Sequence, residues 1–224
     1  MSWDSVWEEV FQGQEWGKYP AESLIQFIAR NFYKRERKKT KLLEIGCGPG
    51  ANIWYMAKEG FDVYGVDGSQ TAIGRAKKRL NNEDLKAHLA VGDIIKLSFK
   101  DNYFEGVVDV ECLCHNSRDN TGRILDEIKR VLKSGGLFYS RTFADTMYIG
   151  NSRKEMGYLE YSDISDGPLA GKGFVRLTNK EDIEGLYGAF FKIISVDRLE
   201  YTINNGEIKI SEWIAVCRKE DKYE

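Results

Sequence analysis

The sequence predicts an α/β fold: a doubly wound, seven-stranded, mostly parallel sheet with helices on both faces, an antiparallel C-terminal hairpin strand and an N-terminal helical cap. Three observations predict it. From Lys41 to Phe143 strand-like and helix-like segments alternate, the pattern of parallel strands joined by crossover helices. Two long β-rich segments in the tail, about 191–203 and 207–217, flank Asn204-Asn205-Gly206, and Asn-Gly between such segments marks a hairpin. Ahead of Lys41 two segments show helical periodicity, parted by a glycine-containing break.

The elements follow in order. Trp3, Val6, Trp7, Val10 and Phe11 fall at the spacing of one helix face. A break from Gly13 to Gly17 separates this helix from a second, which Pro20 suits as an opening residue and whose apolar face is Ala21, Leu24, Ile25, Ile28 and Phe32. Lys41–Ile45 reads as a buried strand, Ala51–Glu59 as a helix stopped by Gly60, and Phe61–Val66 as a second strand. Ser69 is placed to cap a helix carrying Ala72, Ile73, Ala76 and Leu80 on one face. Leu85–Val91 and Tyr103–Val110 are further strands. Ile124, Leu125, Ile128, Val131 and Leu132 make the apolar face of a helix that Ser134-Gly135-Gly136 is expected to end, before a fifth strand, Leu137–Phe143. Thr178-Asn179-Lys180-Glu181 reads as a capping box opening the last helix. A chain of 224 residues fits one embellished domain: a cap over residues 1–40, a main domain over 41–224, and a glycine-rich insertion at about 145–177, the length and place of a lid or substrate loop.

Composition narrows the partners. The 33 basic and 35 acidic side chains leave a net charge of −2, which gives no electrostatic reason to expect nucleic acid or an acidic membrane. The longest run without a charged side chain, Ile45–Ala57, is too short and too rich in glycine to cross a bilayer. Met1-Ser2-Trp3-Asp4 lacks the basic start of a signal peptide. Cys47, Cys112, Cys114 and Cys217 are expected to be reduced thiols in a cytoplasmic protein, and Cys112-Leu113-Cys114 is too tight for the usual zinc pair, so no metal is expected.

The richest stretch is Leu42-Leu43-Glu44-Ile45-Gly46-Cys47-Gly48-Pro49-Gly50-Ala51-Asn52. Glycines there let the backbone turn sharply from strand to helix and let a ligand approach the main chain. Asp67 follows the next strand and can accept from both ribose hydroxyls of a nucleoside. Gly46-x-Gly48-x-x-Ala51 also satisfies the relaxed dinucleotide fingerprint, so this turn alone admits an NAD enzyme.

Several motifs in order resemble the class I S-adenosylmethionine-dependent methyltransferases. Leu43 to Gly50 is similar to that family's first motif, Val63-Tyr64-Gly65-Val66-Asp67-Gly68-Ser69 to its second, and Val91-Gly92-Asp93-Ile94 to its third. Phe104 to Val110 and Arg130 to Leu137 resemble the fourth and fifth, with Ser134 where a proline is usual. The resemblance covers about Lys41–Phe143. It implies S-adenosylmethionine as cofactor and a small-molecule acceptor. Glu44, Gly46, Cys47, Gly48 and Asn52 are then expected at the methionine end, and Asp67, Gly68 and Ser69 at the ribose. Asp93 and Ile94 are expected at the adenine, with Val110 alongside and Trp16 and Tyr19 as lid residues.

Acceptor chemistry is expected after strands four and five. His115, one of two histidines, stands where small-molecule members often carry one, and imidazole titrates near neutral pH. Glu111 is the second catalytic candidate, since a carboxylate gains Coulombic stabilisation near a sulfonium. Arg141 is a charge in an apolar strand, which needs an ion-pair partner or an opening to the cleft. Tyr148, with Tyr158, Tyr161, Phe174 and Arg176, lies in the insertion as candidate acceptor wall. His88 reads as structural. The expected reaction is transfer to an oxygen or nitrogen of a small polar metabolite. A protein acceptor and a non-catalytic cofactor-binding module stay open. An NAD-linked oxidoreductase is disfavoured because no Tyr-x-x-x-Lys pair occurs.

Overall fold

A computed structural model describes residues 3–220; the outermost residues of the expected cap and main domain, 1–2 and 221–224, lie outside the described residues. After helices α1 (Val6–Gly13) and α2 (Glu22–Phe32) the chain alternates through β1 (Lys41–Ile45), α3 (Ala51–Lys58), β2 (Asp62–Asp67), α4 (Gln70–Asn81), β3 (His88–Val91), β4 (Phe104–Val110), α5 (Arg118–Val131) and β5 (Leu132–Phe143). The insertion carries β6 (Lys154–Gly157), β7 (Glu160–Ser162) and β8 (Val175–Arg176). The chain finishes with α6 (Lys180–Gly188), β9 (Lys192–Ile203) and β10 (Ile208–Arg218).

The main sheet has seven strands in the order β3-β2-β1-β4-β5-β10-β9. β1 pairs in parallel with both β2 and β4, so the winding reverses at β1. The carboxyl ends of β1 and β4 flank the crevice where such sheets take ligands. β10 pairs antiparallel with β5 and β9, which is the closure the Asn-Gly signal predicts. Leu42, Leu43 and Ile45 are fully buried, because helices cover both faces of the sheet. Leu24, Phe32, Ile53 and Leu80 of α2, α3 and α4 pack on one side. Ile124, Ile128, Ile183 and Tyr187 of α5 and α6 pack on the other.

Local boundaries shift where a polar group outcompetes the apolar pattern. The first helix begins at Val6 rather than Trp3, because Asp4 Oδ1 accepts the Val6 N–H at 3.0 Å. The last helix is capped by Asn179, whose side chain accepts the Asp182 N–H at 2.7 Å, not by Thr178, whose hydroxyl takes a guanidinium N–H of Arg176. Ser134-Gly135-Gly136 is no helix stop. α5 already ends at Val131, and these residues extend β5 and bond the chain beyond β10, the Gly135 N–H donating to the Lys219 carbonyl. The third strand starts at His88, since only Tyr64–Asp67 of β2 offer it a partner. His88 lies outside the core, stacked on Tyr64 with 4.3 Å between ring centroids. Inside the insertion, β6, β7 and β8 form a small antiparallel sheet over Met147, Ile164, Leu169 and Val175.

Candidate functional site

The β1–α3 turn needs its glycines. Gly46, Gly48 and Gly50 all have left-handed backbones, with φ of +60°, +49° and +82°, a region that costs little only without a side chain. A Cβ on Gly46 would stand 2.3 Å from Cys112 Sγ, so the ends of β1 and β4 approach each other only with glycine there. Oδ2 of Asp67 accepts the Gly48 N–H at 2.8 Å and Oδ1 accepts the Ser69 N–H at 2.8 Å. Two backbone bonds fix this carboxylate at the tip of β2 and leave each oxygen a further lone pair. Burial outweighs those bonds and raises the Asp67 pKa.

Glu44 sits beneath the turn. Its Oε1 accepts an amide N–H of Asn52 at 2.6 Å, while its buried Oε2 has no partner. Loss of solvent, with Asp67 and Asp109 nearby, pushes its carboxyl up to about 8. An unpartnered buried polar oxygen costs stability unless a ligand satisfies it.

The N-terminal segment roofs this crevice. Trp3 lies over Gly68, where an added Cβ would meet its indole at 2.1 Å. Glu8 of α1 takes the hydroxyls of Ser69 and Thr71 at the start of α4, and these bonds hold its carboxyl down at about 2. Arg75 donates to the Gln14 carbonyl at 2.7 Å. From the insertion, the Lys172 ammonium stands 4.6 Å from the centre of the Trp16 ring. Roof and sheet enclose a cavity of about 430 Å³, the size of a small-molecule site.

At its far end the cavity meets β4, β5 and β10. Arg141 grips Glu212 with two guanidinium nitrogens, Nε lying 2.9 Å from Oε1. Glu111 Oε1 is 3.7 Å from the same Nε. Glu111 has φ +59°, an uncommon conformation for a side-chain-bearing residue that clusters at functional sites, and its N–H donates to the Arg141 carbonyl at 2.8 Å. Burial, then the neighbouring Glu212, push the Glu111 carboxyl up to about 8 against the pull of Arg141. Phe143, Met147, Leu169 and Ile210 make the surrounding wall apolar.

His115 is on the same wall, with Trp7 edge-on at 4.6 Å. Its Nδ1 is 2.8 Å from the Phe174 carbonyl oxygen, which can only accept, so Nδ1 carries the proton and the lone pair is on Nε2. Burial drives its pKa down to about 4. The imidazole is therefore neutral through the physiological range and a weaker base than an ordinary histidine.

The structure brings most of the sequence-predicted residues to one cavity. Glu44, Gly46, Cys47, Gly48, Asn52 and Asp67 line it, as do Gly68, Ile94, Val110, Trp16 and Tyr19, and so do Glu111, His115 and Arg141. Three others stand back from the wall. Ser69 caps α4, accepting the Ala72 N–H; Asp93 accepts the Ile95 N–H at 3.1 Å; Tyr148 bonds Asp166. Arg176 is buried on the carbonyls of Leu113 and Asn116. The insertion instead contributes Met147, Leu169 and Lys172. The sequence reading does not reach Glu212, although it carries the signal that flags Arg141, a charge inside an apolar strand.

Residues 43–140 match the model of a family described as methyltransferase domain. The chain is 27% identical over 184 residues, 78% of its length, to the sterol 24-C-methyltransferase erg-4 of Neurospora crassa, of which it covers 47%. It is 33% identical over 159 residues, 66% of its length, to the sterol 24-C-methyltransferase of Saccharomyces cerevisiae, of which it covers 41%. The chain thus spans less than half the length of these curated relatives. Among solved structures, an S-adenosylmethionine-dependent methyltransferase from Methanosarcina mazei superposes with a TM-score of 0.72 at 21% identity, over 90% of this chain and 99% of that one. Another from Clostridium acetobutylicum gives 0.66 at 16% identity, over 95% of each chain. These two likenesses bear on the fold.

Proposed function

We propose that this chain is a class I S-adenosylmethionine-dependent methyltransferase, a reading supported by its fold and by its domain match over residues 43–140, and that it transfers a methyl group to a small-molecule acceptor inside the roofed cavity. One observation carries the reading. A single cavity wall joins the glycine turn, Glu44 and Asp67 at one end to Glu111 and Arg141 at the other, so a carrier and an acceptor share one enclosure.

The residues fit the cofactor. The unpartnered Oε2 of Glu44 supports an ammonium-bearing ligand at the turn, and the spare lone pairs of Asp67 support ribose hydroxyls. Glycine at 46 and 68 lets Cys112 and Trp3 close on the main chain, so that the turn and the roof meet around the crevice. When bound, S-adenosylmethionine supplies a methyl group on a positively charged sulfur. This chain's residues do the rest. The β1–α3 turn and Asp67 hold and orient, and the Trp3–Trp7–Trp16 roof excludes water. Ile94 and Val110 bound the crevice, and Tyr19 closes its rim. Glu111 manages a proton at the acceptor, and Arg141 sets the charge around it. Fixing two reactants in line is worth several kcal/mol, about 7–11 in the best model systems. His115, neutral and tied to Phe174, offers the acceptor a hydrogen-bonding Nε2 and an aromatic wall.

The relatives named for sterol methylation, together with Phe143, Met147 and Ile210, favour an acceptor with a substantial apolar body over the small polar metabolite expected from sequence. We place residues 1–40 as the cap, 41–224 as the catalytic domain and about 145–177 as its acceptor-side insertion. A cytoplasmic setting is supported by four unpaired cysteines. No helix among the described residues is long and apolar enough to cross a membrane. Incubation with methyl-labelled cofactor and a metabolite extract, followed by mass spectrometry, tests the proposal. A labelled small molecule is expected. Label found only on protein, or on nothing while the cofactor binds, would replace it with a protein acceptor or a binding module.

A further inference from the structure

We propose that Glu111, Arg141 and Glu212 form the acceptor subsite for a basic aliphatic amine, with Glu111 the catalytic residue that takes its proton; this rests on the methyltransferase reading above. The three residues come from the end of β4, from β5 and from β10, so the subsite exists only where the parallel sheet meets its antiparallel closure.

Charge counting leads there. One guanidinium faces two carboxylates, and its fork is spent on Glu212, which is 1% exposed. Glu111 lies farther off at 3.7 Å, with 35% of its side chain open on the cavity. The Glu111 and Glu212 carboxylates crowd this one guanidinium and repel each other, which adds to burial in raising the Glu111 carboxyl, and a proton shared between them relieves the repulsion. With that proton present, Glu111, Glu212 and Arg141 sum to zero. The other ionisable groups facing the cluster do not change the sum. Tyr201 of β9 and Tyr139 of β5 have pKa values raised by burial and stay neutral. Asp109 of β4, which accepts from Ser140 and the N–H groups of Cys112 and Leu113, has the buried Arg176 guanidinium as its own counter-charge.

A neutral hydroxyl acceptor leaves the shared proton where it is, because removing it would strand a buried negative charge. A cation replaces it. An entering R–NH₃⁺ expels the shared proton to solvent and sits against two carboxylates and one guanidinium, again summing to zero. One N–H proton then passes to a Glu111 carboxylate oxygen. That transfer restores the protonated pair and leaves a neutral nitrogen with its lone pair free to attack, as methylation requires.

A second feature of the cavity asks for a donor. Asn116 lines it and is 5% exposed. Its amide is oriented by Nδ2 donating to the Cys112 carbonyl at 3.2 Å, and its buried Oδ1 accepts from nothing. Phe143, Met147 and Ile210 complete a wall suited to the alkyl part of such an amine.

The test is calorimetric titration of the full chain with n-hexylamine, n-hexanol and hexanoate. It is run at pH 7 in two buffers of different ionisation enthalpy, with and without S-adenosylhomocysteine. Hexylammonium is expected to bind at least about tenfold more tightly than hexanol or hexanoate and to release about one proton. Glu111→Gln should abolish the release. The wild-type comparison decides the matter even if that variant folds poorly. Hexanol binding as tightly as hexylamine, or amine binding with no proton released, overturns the amine subsite. If S-adenosylhomocysteine binds and the amine does not, only this inference fails. If S-adenosylhomocysteine itself does not bind, the methyltransferase reading fails, and the cofactor-free amine titration still judges the subsite.

Discussion

The backbone N–H of Gly48 donates to Oδ2 of Asp67 at 2.8 Å, binding the glycine turn after β1 to the acid that ends β2. The two halves of the proposed cofactor grip are therefore one hydrogen-bonded unit, and damage to either is felt by both.

Asp67→Ala removes this tie and the ribose acceptor together. S-adenosylhomocysteine affinity should fall by about 1–3 kcal/mol. Isothermal titration measures it, and unchanged affinity would take Asp67 out of the site.

Glu44→Gln should separate stability from binding. Glu44 has its folded pKa raised to about 8 from an ordinary value of about 4.3. Its protonated form is favoured by folding, so this contribution is complete below about pH 4 and is lost as pH rises through about 8. Glutamine cannot ionise and escapes the loss. The melting temperature of the variant relative to wild type should therefore climb between pH 5 and 9, while cofactor affinity drops. A constant difference across that range would mean that Glu44 titrates normally.

His115→Gln distinguishes base from wall. Because burial lowers its pKa to about 4, His115 gives stability that is present above about pH 6.5 and lost as pH falls through about 4. The variant should lose about 1 kcal/mol of stability from the Phe174 bond. Its turnover should fall without moving the basic inflection of the rate profile, which Glu111→Gln should abolish. An inflection that vanishes in His115→Gln would return the base role to histidine.

Glu8→Ala cuts the bonds from the roof to Ser69 and Thr71 without touching the cavity floor. Cofactor dissociation should accelerate about tenfold, read by stopped-flow fluorescence of Trp3, Trp7 and Trp16. An unaltered rate would make the roof a fixed wall rather than a lid.

The parallel half of the fold was legible because its signals are local. Leu42, Leu43 and Ile45 are apolar strand positions, Gly46, Gly48 and Gly50 mark a turn in left-handed backbone, and Asp67 is an acid at a strand end. The hairpin was legible for the same reason, from Asn205-Gly206. Glu212 was not, because its meeting with Arg141 depends on the register of β10 against β5, where Glu212 stands opposite Phe143 and Arg141 opposite Ile214. A pairing across seventy residues leaves no periodic trace. Nor does sequence show that the Asp4 cap turns Trp3 out of α1 and onto Gly68. Tyr148 illustrates the opposite error. A tyrosine in a lid-like insertion suggests a pocket wall, yet its hydroxyl is taken by Asp166.

We propose that the crevice at the carboxyl ends of β1, β2 and β4 grips an adenosyl methyl carrier. A thermal melt with S-adenosylhomocysteine and, separately, NADH tests it most directly. Ligand at about a hundred times its dissociation constant should add about 2.7 kcal/mol of stability, seen as a saturable rise in melting temperature with S-adenosylhomocysteine and none with NADH. A flat curve with S-adenosylhomocysteine, or a rise only with NADH, would contradict it.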